Sequence, residues 1–341
     1  MLGLLADKEV GTMLRKILMT LLTLATLLAS GSSGSAQEKL RLAWAGVSPT
    51  NSPIWVIQEK KLLQKQGVQP EIISISASPT VLQALLAGEI DAASISVTTL
   101  TSSRLAGADT VMVLGVVPTF VDHIVTTANI TRVEQIKGKT GGVNRLGSTS
   151  DMGLRLALRR LGIDPERDAK IVPVGGVPER FAALSKGIVQ FTIMPEPFLR
   201  EAEKLGFRDL LHIGSLKIPF WWNGILTRES IIKVKRPLIM KLVRAMVEAI
   251  YFIKTEKEAA KAIIGRNLHI SDPEGLERAY KDYSSVFPEV PYPHPEGVKT
   301  MLDDMAPKNP RAATADPRSF VDMSFVGELD PSGFIKQLYK R

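Results

Sequence analysis

The chain has 341 residues and a formal net charge of +8, with 43 lysines and arginines against 35 aspartates and glutamates. It contains no cysteine, which excludes disulfides, zinc–thiolate sites, thiol catalysis and a lipid anchor attached to cysteine. Its charges are scattered along the sequence, so they predict a soluble basic surface and no nucleic-acid-binding stripe.

Residues 1–36 have the order of a secretory signal peptide. Arg15 and Lys16 precede an uncharged apolar run at 17–29, and a stretch of small residues follows. The apolar run is too short to span a bilayer comfortably. Met13 stands just before the basic pair and is the expected start; the alternative is that the segment is a buried or interfacial helix. We expect an exported, periplasmic protein without a lipid anchor.

A strand–helix plan follows and occurs twice. In each pass an apolar strand leads through a polar loop into a helix, then into a second strand and, after a short segment, into a third. The segments of the first pass are 40–44, 46–51, 53–65, 71–76 and 84–91. Those of the second pass are 139–143, 145–151, 151–161, 170–174 and 183–190. Such alternation predicts βαβ units and a mainly parallel sheet in each pass.

Two further stretches, 120–126 and 219–226, are placed to cross between these two units. The rest of the chain is predicted to be largely helical. Together these features predict an α/β protein whose two lobes face each other across a cleft, where small molecules bind. In this arrangement lobe 1 comprises residues 37–122 plus 225–341, and lobe 2 comprises residues 123–224.

A series of short motifs then occurs in a specific order and spacing: Ile-Lys-Gly-Lys at 136–139, Gly-Ser-Thr-Ser-Asp at 147–151, Leu-Gly-Ile-Asp-Pro at 161–165, Val-Gly-Gly-Val-Pro-Glu-Arg at 174–180 and Phe-Val-Asp at 320–322. In these motifs the chain resembles the SsuA/THI5-like (NMT1-like) family. Its members are periplasmic substrate-binding proteins of ABC importers for sulfonates, taurine, nitrate and related compounds. The resemblance implies the type II periplasmic-binding-protein fold, two α/β lobes joined by two crossing strands, with extra C-terminal helices.

The same resemblance implies a function. Proteins of this family hold a small ligand between two lobes that close around it. They then deliver the ligand to an ABC permease complex in the inner membrane. We therefore expect a monomeric solute receptor with a small-molecule ligand and that permease as partners, and with no cofactor.

Ligands of open α/β sheets lie beyond the carboxyl ends of strands, beside helix N-termini. The first such junction offers Ser48, Thr50 and Asn51, where polar side chains and free backbone N–H groups suit an anionic or polar group. Ordinary capping of the next helix by Asn51 or Ser52 is also expected there. The remaining polar groups are then available to a ligand.

Two more junctions follow the same logic. The second offers Ser96 and Val97, although a purely structural turn explains it equally well. The third combines an arginine with three consecutive hydroxyls at a predicted helix N-terminus: Arg145, Ser148, Thr149 and Ser150. It is the strongest candidate, because an arginine can pair with a carboxylate, sulfonate or phosphate-like group. The alternative for Arg145 is a solvated surface side chain.

The fourth junction differs from the first pass. Glu196 follows the last strand of the second pass, where it would repel an anion or accept hydrogen bonds from an amine or amide. Its alternative role is a first-turn carboxylate that interacts with a helix dipole. Nearby, Gln190 occupies the place that Asp91 has in the first pass, so the two passes differ where ligand choice is expected.

The return crossing contains Trp221, Trp222 and Asn223. Adjacent residues of a strand face opposite sides, so one tryptophan is expected in the core and the other at the ligand or hinge. The sequence leaves open which is which. Trp222 and Asn223 enter the candidate ligand-binding set.

Catalysis finds little support in the sequence. The four histidines are scattered and lack metal-ligand spacing, and no Gly-x-Ser-x-Gly elbow or phosphate loop is present. The pyrimidine-forming enzyme of the THI5 branch depends on a cysteine-rich motif that this chain lacks. We therefore predict a receptor, not an enzyme, with a small anionic ligand of the sulfonate, nitrate or carboxylate type. An exported enzyme on the same scaffold and a sensory ligand-binding protein are the alternatives.

Overall fold

The structure, a computed structural model, describes residues 38–46, 48–75 and 78–340. The predicted signal peptide at 1–36, including the expected start at Met13, lies outside the described residues. Within the described part of the chain, no helix combines the length and apolar character needed to cross a membrane.

The strands along the chain are β1 (Glu38–Ala45), β2 (Val68–Ile75), β3 (Ala92–Ile95), β4 (Thr110–Val117), β5 (His123–Thr126), β6 (Thr140–Val143), β7 (Lys170–Pro173), β8 (Phe191–Met194), β9 (Arg208–His212) and β10 (Asn223–Arg228). The helices are α1 (Ser52–Lys60), α2 (Ser78–Ala87), α3 (Val97–Leu105), α4 (Thr149–Arg160), α5 (Val177–Ser185), α6 (Phe198–Lys204), α7 (Glu229–Thr255), α8 (Lys257–Leu268), α9 (Pro273–Val286), α10 (Glu296–Met305), α11 (Pro310–Thr314), α12 (Ser324–Leu329) and α13 (Phe334–Leu338). Strands and helices alternate from β1 to β4 and again from β6 to β9, as the repeated plan predicts, and β5 lies between the two series.

The strands form two five-stranded sheets of equivalent topology. The order is β2-β1-β3-β10-β4 in the first sheet and β7-β6-β8-β5-β9 in the second. In each sheet the strand that directly follows a crossing segment runs antiparallel to its neighbours: β10 to β3 and β4, and β5 to β8 and β9. The predicted α/β fold with two lobes is confirmed. We call the first sheet with its helices lobe 1 and the second sheet with α4, α5 and α6 lobe 2.

The register of the paired strands shows which ends of the two sheets face each other. Asn223, where β10 begins, pairs with Val117, where β4 ends. His123, where β5 begins, pairs with Met194 and His212, where β8 and β9 end. The two crossing segments join these same ends of the strands. The carboxyl ends of the parallel strands in both sheets therefore face one region between the lobes. This is the edge at which α/β sheets bind ligands.

The core explains why the apolar strands lie in the centre of each sheet. All eight residues of β4 are buried, as expected for a strand covered on both faces by helices. On lobe 1, α7 packs against β4, β10 and α1 and buries an apolar stripe along its length. The apolar periodicity predicts a helix over 236–254, entered through Pro237. The helix begins earlier, because a turn that starts at Glu229 continues across a kink at Lys235, just before Pro237.

Candidate functional site

The loop after β1 is held in place by its own polar side chains. Ser48 Oγ accepts the backbone N–H of Thr50 at 3.3 Å, and Asn51 Nδ2 donates to two carbonyl oxygens of the preceding loop at 3.3 and 3.0 Å. The expected capping of α1 by Asn51 or Ser52 is therefore wrong. The Asn51 side chain makes no capping hydrogen bond, and Ser52 Oγ is buried without a hydrogen-bond partner.

Asn223 links this loop to the centre of the first sheet. Its Nδ2 donates to the carbonyl oxygen of Thr50 and to Ser94 Oγ, both at 3.4 Å. Ser94 Oγ in turn lies 3.5 Å from Asn51 Oδ1. The structure thus brings together three predicted residues, Thr50, Asn51 and Asn223, with Ser94 between them. Asn223 Oδ1 is buried and has no hydrogen-bond partner, so one strong acceptor of this cluster is unused.

The second junction is both a helix cap and a contact with the return crossing. Ser96 Oγ accepts the N–H of Thr99 at 3.4 Å and so caps α3. The N–H of Val97 donates to the carbonyl oxygen of Trp221 at 3.4 Å. Ile95, just before Ser96 and Val97, is buried in the core. The capping supports the structural alternative for Ser96. Ser96 nevertheless lies at the carboxyl end of β3, beside the return crossing.

At the third junction the hydroxyl groups are occupied by the loop itself. Ser148 Oγ caps α4 through the N–H of Asp151 at 3.4 Å and donates to the carbonyl oxygen of Arg145 at 2.6 Å. Ser150 Oγ accepts the N–H of Asn144 at 2.9 Å. Thr149 is half-buried beside them. The hydroxyl groups therefore stabilise the loop, and only their remaining hydrogen-bonding positions are available to a ligand.

Asp151 and Arg145 behave differently from each other. Asp151 lies in the first turn of α4, as expected, and also accepts the N–H of Gly147 at 2.7 Å and Arg155 Nε at 2.6 Å. Arg145 is exposed, and its side chain makes none of the ion pairs found within the described residues. The solvated alternative for Arg145 thus describes this conformation.

Glu196 is not a first-turn residue of a helix, because α6 begins only at Phe198. Its carboxylate is buried and lies 2.5 Å from Arg278 Nη2 of α9. Burial raises the pKa of Glu196, and the positive charge of Arg278 opposes this increase. Glu196 thus forms an ion pair between lobe 2 and the helices of lobe 1, which explains its burial better than the helix-dipole alternative.

The difference between Asp91 and Gln190 is structural. Asp91 Oδ2 accepts the backbone N–H of Arg41 at 2.9 Å, and Gln190 Oε1 accepts the backbone N–H of Thr140 at 3.1 Å. The two side chains therefore make the same kind of hydrogen bond at equivalent points of the two sheets. Each bond connects the first strand of its pass to the turn before the last strand. The expectation that this substitution bears on ligand choice is wrong. Asp91 also binds the side chains of Arg41 and Lys235.

The two adjacent tryptophans separate as the alternation predicts. Trp221 is buried, its Nε1 donates to the carbonyl oxygen of His294 at 2.7 Å, and its ring lies between two glycines. A Cβ on Gly115 would come within 2.3 Å of this ring, and one on Gly297 within 2.6 Å. Trp222 is half-buried and meets Phe120 edge-on, with ring centroids 5.9 Å apart. Trp222 is thus the tryptophan nearer to solvent.

The structure adds two charged residues that the sequence did not single out. Asp122 ends the outgoing crossing, and its side chain is buried with Oδ2 unpartnered. Burial raises its pKa to about 6, although the charge of Arg180 opposes the increase. Arg180 of α5 is also buried, and its Nε donates to the carbonyl oxygen of Ile193 at 3.2 Å. Burial lowers the pKa of Arg180, and the charge of Asp122 opposes the decrease.

Tyr283 of α9 faces the same region from lobe 1. Its hydroxyl is buried beside the Ser48 side chain. Burial raises its pKa well above the ordinary value, and the negative charge of Asp122 adds to the increase, while hydrogen bonding to Ser48 opposes it. Asp122 therefore acts electrostatically on both Arg180 and Tyr283, and we call these three buried residues, from a crossing segment and both lobes, the cluster around Asp122.

Two histidines lie beside this cluster. The rings of His123 and His212 stack with centroids 4.6 Å apart, and His123 Nδ1 lies 2.9 Å from Asp209 Oδ2. Burial lowers the pKa of His123, but the hydrogen bond and the charge of Asp209 outweigh this and raise it. For His212, burial and the charge of His123 lower the pKa. Asp282 of α9 acts on both rings across the interlobe region.

Ion pairs join the lobes at the edge of the cleft. Arg200 of α6 binds Asp272 at 2.7 Å and also Glu274, and Arg278 binds Glu203 at 2.8 Å in addition to Glu196. At another edge, Arg159 of α4 contacts Asp304 of α10, and Lys308 lies 3.5 Å from Glu166. The described conformation therefore has its lobes in contact. Nowhere in the described ranges do three or more metal-binding side chains gather into a candidate metal site.

The missed residues gave weak sequence signals. Asp122 stands in a crossing segment whose function was interpreted as connection, and Arg180 occurs in an amphipathic helix where an arginine is normally solvated. The glycine pair before α5 was the available clue. A Cβ on Gly175, whose φ is +110°, would lie 2.8 Å from Glu179 Cβ. This tight turn brings α5 close to the carboxyl end of β8 and buries Arg180 there.

Comparisons with known structures agree with this architecture. The alkanesulfonate-binding protein SsuA from Xanthomonas axonopodis pv. citri, bound to MOPS, superposes with a TM-score of 0.68 at 17% identity over 83% of this chain and 98% of that one. The periplasmic aliphatic sulphonate-binding protein SsuA from Escherichia coli gives 0.67 at 21% identity, over 84% and 92%. A complex of DSZB with biphenyl-2-sulfinic acid gives 0.63 at 14% identity, over 87% and 99%. These similarities establish the fold.

The sequence comparison establishes the family. No curated protein matches the sequence. The profile of the NMT1-like family matches residues 33–266, a range that includes β1 through β10, both crossing segments and the whole cluster around Asp122 except its α9 members. With this match over most of its length, the chain belongs to the NMT1-like family.

Proposed function

We propose that the protein is a periplasmic solute-binding receptor that captures a small ligand between its lobes and delivers it to an ABC permease. One observation carries the proposal. The strand pairing indicates that the carboxyl ends of the parallel strands in both sheets face one region, and two short segments connect the sheets there. A ligand that contacts both edges stabilises the closed arrangement. The solute-binding proteins with similar folds support this function.

We further propose the lobe boundaries expected from the sequence, 37–122 plus 225–341 and 123–224. The strand composition of the two sheets supports them, since the first sheet contains β1 to β4 with β10 and the second contains β5 to β9. The segments between β4 and β5 and between β9 and β10 then act as hinges. The protein acts as a monomer in this proposal, because one chain supplies both walls of the cleft.

The proposed ligand-binding residues lie at the four junctions and the return crossing: Ser48, Thr50, Asn51, Ser96, Val97, Arg145, Ser148, Thr149, Ser150, Glu196, Trp222 and Asn223. We propose that an anionic part of the ligand, sulfonate-, nitrate- or carboxylate-like, binds near the N-terminus of α4, where Arg145 is free to turn toward it. The buried and unpartnered Asn223 Oδ1 supports a polar contact on the opposite wall.

A thermal-shift screen of the exported protein tests the proposal. The panel contains aliphatic and aromatic sulfonates, nitrate, aromatic carboxylates and pyrimidines. A ligand present at about one hundred times its Kd stabilises the native state by about 2.7 kcal/mol, which is readily measured. We expect at least one solute to raise the melting temperature without being altered. If none does and a substrate is instead converted to product, the receptor function is rejected.

One observation favours a second candidate, an exported enzyme on the same scaffold. Asp122 lies in the interlobe region with a pKa raised to about 6 by burial, and such carboxyl groups often serve as general acids or bases. The same screen addresses this candidate, because product formation is measured for every solute that binds. Variant Asp122→Asn would abolish turnover if Asp122 were the general base.

A further inference from the structure

The orphaned acceptor of Asp122 is the strongest unassigned feature of the described residues. The side chain is only 1% exposed, and its Oδ2 has no hydrogen-bond partner. Buried carboxylate oxygens are nearly always hydrogen-bonded, because leaving one unpaired costs the full desolvation of the group. Asp122 Oδ2 is therefore an acceptor that the described conformation leaves available to a donor from a ligand.

Arg180 is the positive charge that acts most strongly on Asp122, but it does not neutralise Asp122 by contact. The two side chains attract each other electrostatically, yet they are not among the ion pairs within 4.0 Å in the described part of the chain. Arg180 instead directs Nε and Nη1 to the carbonyl oxygens of Ile193 and Gly175, at 3.2 and 3.5 Å. A guanidinium has five N–H donors in a fixed fork, so further donors remain.

The groups around these two residues limit what else can bind. Tyr283 places its buried hydroxyl beside Ser48 in lobe 1, and Asp122 acts on it electrostatically. A fully anionic group would be repelled by Asp122, and a fully cationic group by Arg180. A neutral group with an N–H donor beside a carbonyl acceptor satisfies both residues at once.

We propose that Asp122 and Arg180 recognise a neutral donor–acceptor group of the ligand, such as a carboxamide, lactam or ureide, with N–H directed to Asp122 and C=O to Arg180. The inference rests on the proposed receptor function and deepens it. It adds a second specificity element, distinct from the anionic contact near α4. The ligand then carries an amide-like group in addition to any anionic group.

Three probes of matched shape test the proposal on the exported protein at pH 7.5, with affinity measured by calorimetry. Benzamide has the donor–acceptor group, benzoate has acceptors and a negative charge, and benzamidinium has donors and a positive charge. We expect benzamide to bind, and Asp122→Asn to weaken it about tenfold, as for loss of a hydrogen bond to a charged group. Benzoate affinity should change less than about twofold, because its expected contact is near α4.

Two further variants make the test specific. Arg180→Lys keeps the positive charge but loses the planar fork, so it should also weaken benzamide. Asp303→Asn removes an exposed carboxylate that pairs with Lys299, and it should leave all three affinities unchanged. Circular dichroism confirms that each variant is folded before it is titrated.

Clear results would overturn the inference. Tighter binding of benzamidinium than of benzamide contradicts it, as does benzamide binding that survives Asp122→Asn. Failure of all three probes at millimolar concentration also contradicts it, because a site built for this group binds the group alone. Capture of another solute in the wider screen would then leave the receptor function intact, whereas failure of every solute together with conversion of a substrate to product would reject both.

Discussion

At the scale of one residue, Asp122 places a buried carboxyl group in the region between the lobes, and its ionised form lowers the stability of the fold. Burial raises its pKa from 3.8 to about 6, so the folded state binds this proton more tightly than the unfolded chain does. Its contribution to stability is therefore most favourable below about pH 4 and declines as the pH rises toward about 6. Above that pH the ionised, unpartnered carboxylate destabilises the fold.

Replacing Asp122 with asparagine should remove this pH-dependent cost. A pKa raised from 3.8 to about 6 corresponds to about 3 kcal/mol at about 1.4 kcal/mol per unit. We expect Asp122→Asn to increase the free energy of unfolding by up to that amount at pH 7, and to give no gain at pH 4. Urea denaturation at pH 4, 5, 6 and 7 measures the difference. A pH-independent effect would contradict the burial argument, and Asp303→Asn serves as the exposed control.

Gly115 illustrates a second residue-scale constraint, the close packing of Trp221. An added Cβ would lie 2.3 Å from the Trp221 ring, and the ring is fixed by its hydrogen bond to His294. We expect Gly115→Ala to lower the free energy of unfolding by about 1–3 kcal/mol through overpacking. In α12, Gly327→Ala is the matched control, since its Cβ would meet nothing closer than 4.0 Å. Thermal melts that show equal effects for both variants would rule out this explanation.

At the scale of elements, the repeated plan made most of the fold predictable. Apolar periodicity located the strands and helices of both passes, because each βαβ unit buries its strand on both faces and its helix on one. The predicted start of β2 at residue 71 was late by three residues, since Val68 already joins the sheet. The start of α7 was missed because Pro237 marks a kink inside the helix and not its beginning.

The polar site was less predictable, because its chemistry depends on contacts between distant elements. Helix N-termini and their hydroxyls can be located from local patterns, and Thr50, Asn51 and Asn223 do meet at one edge. A local pattern does not show that Ser150 is already engaged by Asn144. Nor does it show that α5 buries Arg180 against β8. Such burial is a property of tertiary packing.

The contact between α6 and α9 gives the element-scale prediction. Arg278→Met leaves Glu196 buried without its partner, whose Nη2 lies at 2.5 Å. We expect a loss of about 1–3 kcal/mol in the free energy of unfolding, largely restored in the double variant Arg278→Met with Glu196→Gln. The exposed pair of Lys299 and Asp303 provides the comparison, where Lys299→Met should cost at most about 0.5 kcal/mol. Chemical denaturation at pH 7.5 measures Arg278→Met, Glu196→Gln, their double variant and Lys299→Met, and an additive double variant would contradict coupling.

At the scale of the whole molecule, two equivalent sheets present their ligand-binding edges to each other, and two segments join them. The described conformation holds the lobes together through ion pairs of α6 with α9 and of α4 with α10. These pairs lie at the edges and not in the polar cluster around Asp122. Different residues therefore hold the lobes together and recognise the ligand. The ion pairs already favour the arrangement with the lobes in contact, and a ligand shifts the equilibrium further toward it.

The distance between the lobes tests the central claim most directly. The chain has no cysteine, so Ile73→Cys in β2 and Leu146→Cys before α4, both exposed, can each carry one spin label. We predict that a solute which raises the melting temperature narrows the interlabel distance distribution and shifts it to shorter distances, as measured by pulsed electron–electron resonance. A distribution that no stabilising solute changes would contradict capture of a ligand between closing lobes.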